Sequence, residues 1–248
     1  MEHSILQRRT ASLLFFILAL NFLLWSASHN VRARWTGIPP APSENTAAGV
    51  TLGDRQFAYR SGALTLQNLG DTGERTIPLK DLDYVKLGQW FHLLNSLDPV
   101  SNHIPLIAAY YFGGIQATEE TSDKIRVVID YLAGIGNTLE HEKWRWLAHA
   151  AFLARHKTND LDYALELANR LVAMDPDGRN LPLWARHMPA FILTALNQKD
   201  AARALLEAVL LGSSRLHPNE ANFLRAYLIE QLGVPEDEIG NSLVTVPQ

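Results

Sequence analysis

Apolar residues recur at steps of three and four along most of the chain after residue 50, the spacing of one face of an α-helix. The clearest instance is 143–176, where two such stretches flank the polar sequence HKTNDLD. Their apolar faces are formed by Trp144, Leu147, Ala148 and Ala151 in the first stretch, and by Ala164, Leu167, Ala168 and Leu171 in the second. Short alanine side chains let two helices joined by a short turn approach closely. This segment therefore predicts a tight antiparallel helical hairpin.

The same spacing predicts further helices on both sides of this hairpin. They are expected over 54–69, 84–97, 102–113, 121–133, 181–196, 200–211 and 218–232. Asp54 is the expected N-cap of the first of them. Residues 57–66 also fit the alternation of a β-strand, and Gly62 disfavours a helix by about 1 kcal/mol relative to alanine. Helix is preferred there with strand as the alternative, and the expected fold class is all-α.

Short phrases recur at similar distances along the predicted helical region. The helix-ending phrase at 97–99 (LDP) returns at 174–176 (MDP), 77 residues later by subtraction of 97 from 174. That distance equals two periods of about 38 residues, within the range of helical-hairpin repeats. Self-similarity of this kind is typical of stacked hairpins. The alternative is a helical domain whose helices merely have similar lengths.

The hairpin resembles the tetratricopeptide repeat, in which an aromatic residue begins the first helix, a small residue lies in the second and a proline follows. Trp144, Ala164 and Pro176 occupy those places, and their alanine-to-proline distance of 12 (176 − 164) matches the family. The HKTNDLD loop lengthens the front half by about four residues, and Ala148 replaces the family's glycine. The resemblance implies a TPR-like α-solenoid, a right-handed stack of antiparallel helix pairs. Trp184, 40 residues after Trp144, is expected in the core of the next pair.

The amino-terminal segment has a different pattern. After a tail of residues 1–10, residues 11–27 (ASLLFFILALNFLLWSA) carry no charge and follow Arg8 and Arg9. About 17 apolar residues are at the short end of what spans a bilayer, so we expect a single transmembrane anchor. The alternative is a signal peptide cleaved near Ser28, although the A-x-A cleavage pattern is missing.

The remaining segments complete the expected domain organisation. Residues 28–49 are rich in proline and small polar residues and predict a linker, 50–233 form the helical domain, and 234–248 form a mobile tail. An anchor so close to the amino terminus usually inserts with that terminus inside. The expected location is therefore a bacterial inner membrane, crossed once, with the carboxy-terminal domain in the periplasm.

Composition limits the chemistry. The chain has no cysteine, which excludes disulfides, thiol catalysis and cysteine-based metal sites, and its net charge of −4 makes nucleic acid an unexpected partner. His141 and Glu142 begin a zinc-type HExxH motif, but Arg145 stands in place of the second histidine. The sequence has no phosphate-binding loop or nucleophile elbow. No metal, cofactor or catalytic residue is expected.

One helix face carries the candidate binding residues. Arg145, His149, Phe152 and His156 follow one another at steps of four, three and four, so they share one side of the first hairpin helix. Arg186 is expected to extend this ridge into the next pair. The resemblance places these positions in the groove of a tetratricopeptide array, where an acidic peptide or a partner's chain terminus would fit. The alternative is an ordinary solvated helix face.

The function expected from these features is that of a membrane-anchored adaptor or scaffold. It would bind another envelope or membrane protein through the helical domain and support the assembly of a complex. Two alternatives remain at the level of sequence. One is an accessory subunit that contacts its complex mainly through the transmembrane helix, and the other is an enzyme whose active-site residues meet only in space.

Overall fold

A computed structural model describes residues 2–28, 37–69, 77–212 and 217–239, and every regular element within these ranges is helical. The all-α prediction is therefore confirmed for them. The helices are α1 (Glu2–Ser28), α2 (Glu44–Val50), α3 (Arg55–Gln67), α4 (Tyr84–Leu97), α5 (His103–Leu106, continued by a π-helical turn Ile107–Phe112), α6 (Glu119–Ile135), α7 (Trp144–His156), α8 (Leu161–Ala173), α9 (Leu183–Ala195), α10 (Lys199–Gly212), α11 (Pro218–Glu230) and α12 (Glu236–Ile239).

The chain divides into two compact units. Among the described residues, the first unit contains α1, and the second contains all the other helices. The core of the second unit consists of one large apolar cluster, from Ile38 to Ile192, and a smaller one among α9, α10, α11 and α12.

Helix α1 covers the uncharged segment and most of the predicted tail 1–10. Its large apolar side chains between Leu13 and Trp25 are exposed. The predicted transmembrane anchor at 11–27 is not supported by the structure. Across the ranges that are described, no helix is both long enough and apolar enough to cross a membrane.

The segment predicted as a linker is partly packed against the helical unit. Ile38 is buried, the indole N–H of Trp90 donates to the Pro39 carbonyl at 2.9 Å, and Ser43 caps helix α2. The remainder of that segment, 29–36, lies outside the described residues. A single buried isoleucine and a helix of two turns are too short to produce a periodic pattern, which explains why composition indicated only a spacer.

Residues 57–66 belong to α3, so the helix prediction is confirmed there and the strand alternative is wrong. Asp54 caps α3 by accepting a hydrogen bond from the Phe57 N–H at 2.9 Å. A Cβ atom at Gly62 would lie 2.6 Å from Leu94 Cδ2 of α4. The glycine that weakened the helix pattern therefore permits the close approach of α3 and α4.

The central hairpin is confirmed as α7 and α8. The four alanines of its interface, Ala148, Ala151, Ala164 and Ala168, are all buried. Asp160 caps α8 by accepting from the Tyr163 N–H at 3.1 Å. Tight packing of two helices thus follows from short side chains on both facing surfaces.

Two helices differ from the sequence expectation near their ends. Helix α6 begins at Glu119 instead of Thr121, because Thr118 is the N-cap and Thr121 completes a capping box with it. Helix α5 widens into the π-helical turn Ile107–Phe112 before Gly113. Pro189 lies inside α9, and the helix extends beyond it to Ala195. The predicted tail begins with a packed segment, since Val234 and Ile239 are buried; residues 240–248 lie outside the described ranges.

The helices of the second unit pack as successive pairs: α3 with α4, α5 with α6, α7 with α8, and α9 with α10. We call the leading members of these pairs the first helices and the others the second helices. The second helices end at Leu97, Ile135, Ala173 and Gly212, at intervals of 38 (135 − 97), 38 (173 − 135) and 39 (212 − 173) residues.

Neighbouring pairs are joined within each class of helix. Among first helices, Tyr110 of the π-helical turn contacts His149 of α7, with ring centroids 4.6 Å apart. Among second helices, Arg126 of α6 donates to Asp160 at the start of α8 at 2.6 Å, and the Tyr163 hydroxyl donates to Asp130 at 2.9 Å. Tyr110 and His149 thus bring α5 and α7 into contact, and the polar contacts bring α6 and α8 together.

Candidate functional site

Four of the five predicted site residues lie on one side of α7. The His149 and Phe152 rings have centroids 5.7 Å apart, and those of Phe152 and His156 are 4.6 Å apart. Tyr110 of the neighbouring first helix continues the series through its contact with His149. We call Tyr110, His149, Phe152 and His156 the aromatic row.

Tyr110, Phe152 and His156 of the aromatic row are exposed, whereas His149 is half-buried. Tyr110 is 63% exposed and Phe152 is 46% exposed. Each ring contacts its neighbours in tilted geometry, which favours a fixed arrangement over independent rotation. Contiguous exposed apolar surface of this kind is typical of binding sites on soluble domains.

Arg145 begins the row but is not a free cation. Its Nη2 donates to the Glu142 carboxylate at 2.8 Å, and both side chains are largely exposed. The guanidinium carbon also lies 5.3 Å from the centre of the Trp144 ring. An exposed ion pair is weak, so an incoming carboxylate can compete with Glu142 for Arg145 at small cost.

Arg186 does not extend the row. Its guanidinium lies directly over Gly178, where a Cβ atom would stand 2.8 Å from Arg186 Nη2, and its Nε is buried without a hydrogen-bond partner among the described residues. Gly178 has a φ of +65°, a left-handed conformation that glycine adopts readily, and the turn it makes in the loop before α9 contacts the Arg186 guanidinium. The sequence placed Arg186 by the assumed repeat spacing, whereas the contact of its guanidinium is with Gly178 in the loop before α9.

Trp184, also on α9, contacts α7 at the buried Trp144 and not at the aromatic row. The ring of Trp184 lies 5.7 Å from that of Trp144 and is 50% exposed, so the expectation that Trp184 is a core residue is wrong. Further along α9, Phe191 contacts Tyr227 of α11 at 4.8 Å and Phe223 at 6.1 Å. The spacing of Trp184 and Phe191, seven residues or two helical turns, was a sequence signal for a shared face.

A cavity of about 480 Å³ opens beside the aromatic row, between α3 and α5. It is lined by Gln67, His103, Leu106, Ile107, Tyr110 and Tyr111. Tyr110 belongs to both features, so the cavity and the row are continuous. The lining includes the π-helical turn, a widened type of helix that occurs often at functional sites. This cavity was not predictable from the sequence, because Gln67 and His103, which line it on α3 and α5, are more than thirty residues apart in the chain.

The pKa values of both histidines of the row are lowered from the ordinary value. Burial lowers the pKa of His149, and the backbone carbonyl of Ala109 opposes this shift only in part. Burial also lowers the pKa of His156, and the charge of Arg155 adds to the effect. Protonation of the row therefore begins at more acidic pH than for an ordinary histidine.

Charge is distributed unequally between the two classes of helix. The first helices α3, α5 with its π-helical turn, α7 and α9 contain no aspartate or glutamate. The second helices α6, α8 and α10 carry eight acidic residues, whereas the second helix α4 carries none. These residues are Glu119, Glu120, Asp123, Asp130, Asp162, Glu166, Asp200 and Glu207. The first helices carry arginines and histidines without acidic residues, although the chain is acidic overall.

Within the described ranges, no group of three or more histidine, aspartate or glutamate side chains is placed to hold a metal ion. Comparison of the chain with protein families, curated proteins and solved structures gave no match.

Proposed function

We propose that this protein is a non-enzymatic scaffold that binds a segment of another protein across the surface shared by its first helices. In this proposal the second unit is a TPR-like solenoid, a right-handed stack of helix pairs. Support for the stack comes from the 38- and 39-residue intervals between the ends of second helices. Repeats of this kind bury a continuous core between neighbouring pairs and leave one extended face for binding.

The observation that carries the proposal is the aromatic row. Tyr110, His149, Phe152 and His156 form an unbroken series of ring contacts that connects two helix pairs. Exposed aromatic side chains held rigidly by their neighbours bind a partner with little further loss of conformational entropy. Aromatic residues are also enriched among the few residues that carry most of the energy of protein interfaces.

We propose in addition that residues 11–27 hold this scaffold at a bacterial inner membrane, with the helical domain in the periplasm. The support is the absence of charge in this segment and the exposed apolar side chains of α1. The same features favour a second candidate function, an accessory subunit that contacts its complex mainly through α1. The two candidates differ in which part of the chain holds the partner.

Affinity capture with matched variants tests the scaffold proposal. Partners would be captured from gently solubilised membranes and quantified for wild type and for the double variant Tyr110→Ser with Phe152→Ser. The control is Val85→Ser, a change of a 68% exposed residue on α4, a second helix. We expect the row variant to lose a reproducible partner by at least about tenfold, the effect of 1.4 kcal/mol, while the control retains it.

Far-ultraviolet circular dichroism of both variants checks that the fold is intact. Equal capture by the folded row variant and by wild type would overturn binding through the first helices. Capture that is insensitive to the row but lost on deletion of residues 2–28 would favour the accessory-subunit candidate instead.

A further inference from the structure

The cavity between α3 and α5 is large enough to take a side chain of a bound segment, with room to spare. Its volume of about 480 Å³ lies within the range of small-ligand pockets. Leu106, Ile107, Tyr110 and Tyr111 supply an apolar lining, and Gln67 and His103 add polar groups. Leu106 is 49% exposed, which leaves its side chain accessible to an incoming group.

The charges around the cavity select the type of segment. On α3, exposed Arg60 precedes Gln67 by seven residues, or two helical turns, so both lie on the same side of the helix. Among the described residues, no carboxylate pairs with Arg60. On α7, Arg145 lies one helical turn before His149 of the aromatic row and is held only by the exposed Glu142. Exposed cations therefore occur on α3 and on α7, two helices without acidic residues.

We propose that this surface binds an extended acidic segment of a partner protein, with one aromatic or large aliphatic side chain inserted in the cavity. This inference rests on the proposed scaffold function and names the chemistry of its partner. The inserted side chain buries its surface against Leu106, Ile107 and Tyr110, while carboxylates before and after it lie near Arg60 and Arg145. Each residue of an extended chain advances by about 3.3 Å, so neighbouring residues of the segment continue along the aromatic row.

Short fluorescent peptides provide the test. The first has glutamates on both sides of one central phenylalanine, the second has serine in place of the phenylalanine, and the third has lysines in place of the glutamates. Binding to the full-length protein would be measured by fluorescence anisotropy. We expect the glutamate–phenylalanine peptide to bind at least about tenfold more tightly than the serine peptide, and more weakly as salt rises. The lysine peptide should not bind.

Variants of the protein assign the effect to the cavity. Leu106→Asp should abolish the preference for phenylalanine over serine, because it places a charge in the apolar lining and repels the glutamates. Val85→Asp introduces the same negative charge at an exposed residue of α4 and should leave the preference for phenylalanine over serine intact. Tyr110→Ala, a milder change of an exposed residue, should reduce the preference without altering the circular dichroism spectrum.

The outcomes separate this inference from the scaffold function. Equal binding of the phenylalanine and serine peptides would overturn insertion into the cavity, even if both bind. Tighter binding of the lysine peptide would overturn the acidic segment. If no peptide binds while the row variant still loses its captured partner, the inference is overturned and the scaffold function stands.

Discussion

At the scale of single residues, two glycines at the end of α6 have opposite roles. A Cβ atom at Gly136 would lie 2.7 Å from Leu147 Cβ of α7, whereas a Cβ atom at Gly134 would meet nothing within 4 Å. We expect Gly136→Ala to lower the free energy of unfolding by about 1 to 3 kcal/mol through overpacking. Gly134→Ala should raise it by about 0.5 to 1 kcal/mol, because alanine is the better helix former. Denaturant unfolding of both variants measures the difference, and equal shifts would contradict this assignment.

Buried His187 makes stability depend on pH. Its Nε2 has no partner among the described residues, and burial, aided by the charge of Arg186, lowers its pKa from 6.5 to about 4. The unfolded chain therefore takes up a proton below pH about 6.5 that the native chain does not take up until about pH 4. As the pH is lowered from about 6.5 to about 4, the free energy of unfolding should therefore decrease, by up to about 3 kcal/mol from this group.

The variant His187→Leu should remove this part of the pH dependence. Leucine cannot be protonated. The free energy of unfolding of the variant should therefore decrease less steeply than that of wild type as the pH is lowered from 6.5 to 4. The control is His103→Leu, the same substitution at an exposed histidine. Parallel pH profiles for His187→Leu and wild type, measured by denaturant titration, would exclude His187 as the source.

At the scale of helices, the α7–α8 interface depends on side-chain size. Ala164 is fully buried in α8, and Ala173 at the end of the same helix is exposed. Ala164→Leu should lower the free energy of unfolding by about 1 to 3 kcal/mol, since the added atoms have no space between the helices. Ala173→Leu should change it by less than about 0.5 kcal/mol. Comparable melting temperatures for both variants would show that the interface tolerates larger residues.

Helices were predictable from sequence where apolar spacing and a cap agreed. Helix α4 has the predicted bounds, Tyr84–Leu97, because Asp83 caps it and Asp98 with Pro99 ends it. The sequence offered Thr121 or Ser122 as the N-cap of α6, whereas Thr118 is the N-cap. All three are good capping residues, and only the hydrogen bonds between Thr118 and Thr121 decide among them. The π-helical turn of α5 has no periodic signature of its own, so it was not foreseen.

At the scale of the whole molecule, the proposed location leads to a biochemical prediction. If residues 11–27 anchor the protein, the mature chain should begin near Met1 and stay with the membrane during carbonate extraction. Added protease should reach the helical domain only after the outer membrane is opened. Intact mass spectrometry is the decisive measurement. A mature amino terminus near Ser28 would show cleavage, and release by carbonate would show that α1 does not anchor the chain.

The helical class, most helix positions and the small-residue hairpin followed from the sequence because helix periodicity, capping and side-chain size act between residues close together in the chain. The same local rule correctly grouped Arg145, His149, Phe152 and His156 on α7. Tertiary structure decided which groups meet across helices. Tyr110 joins the row from α5, Arg186 packs on Gly178, and the cavity forms between Gln67 and Tyr111. These contacts join residues far apart in sequence or depend on loop conformation, which periodicity does not encode.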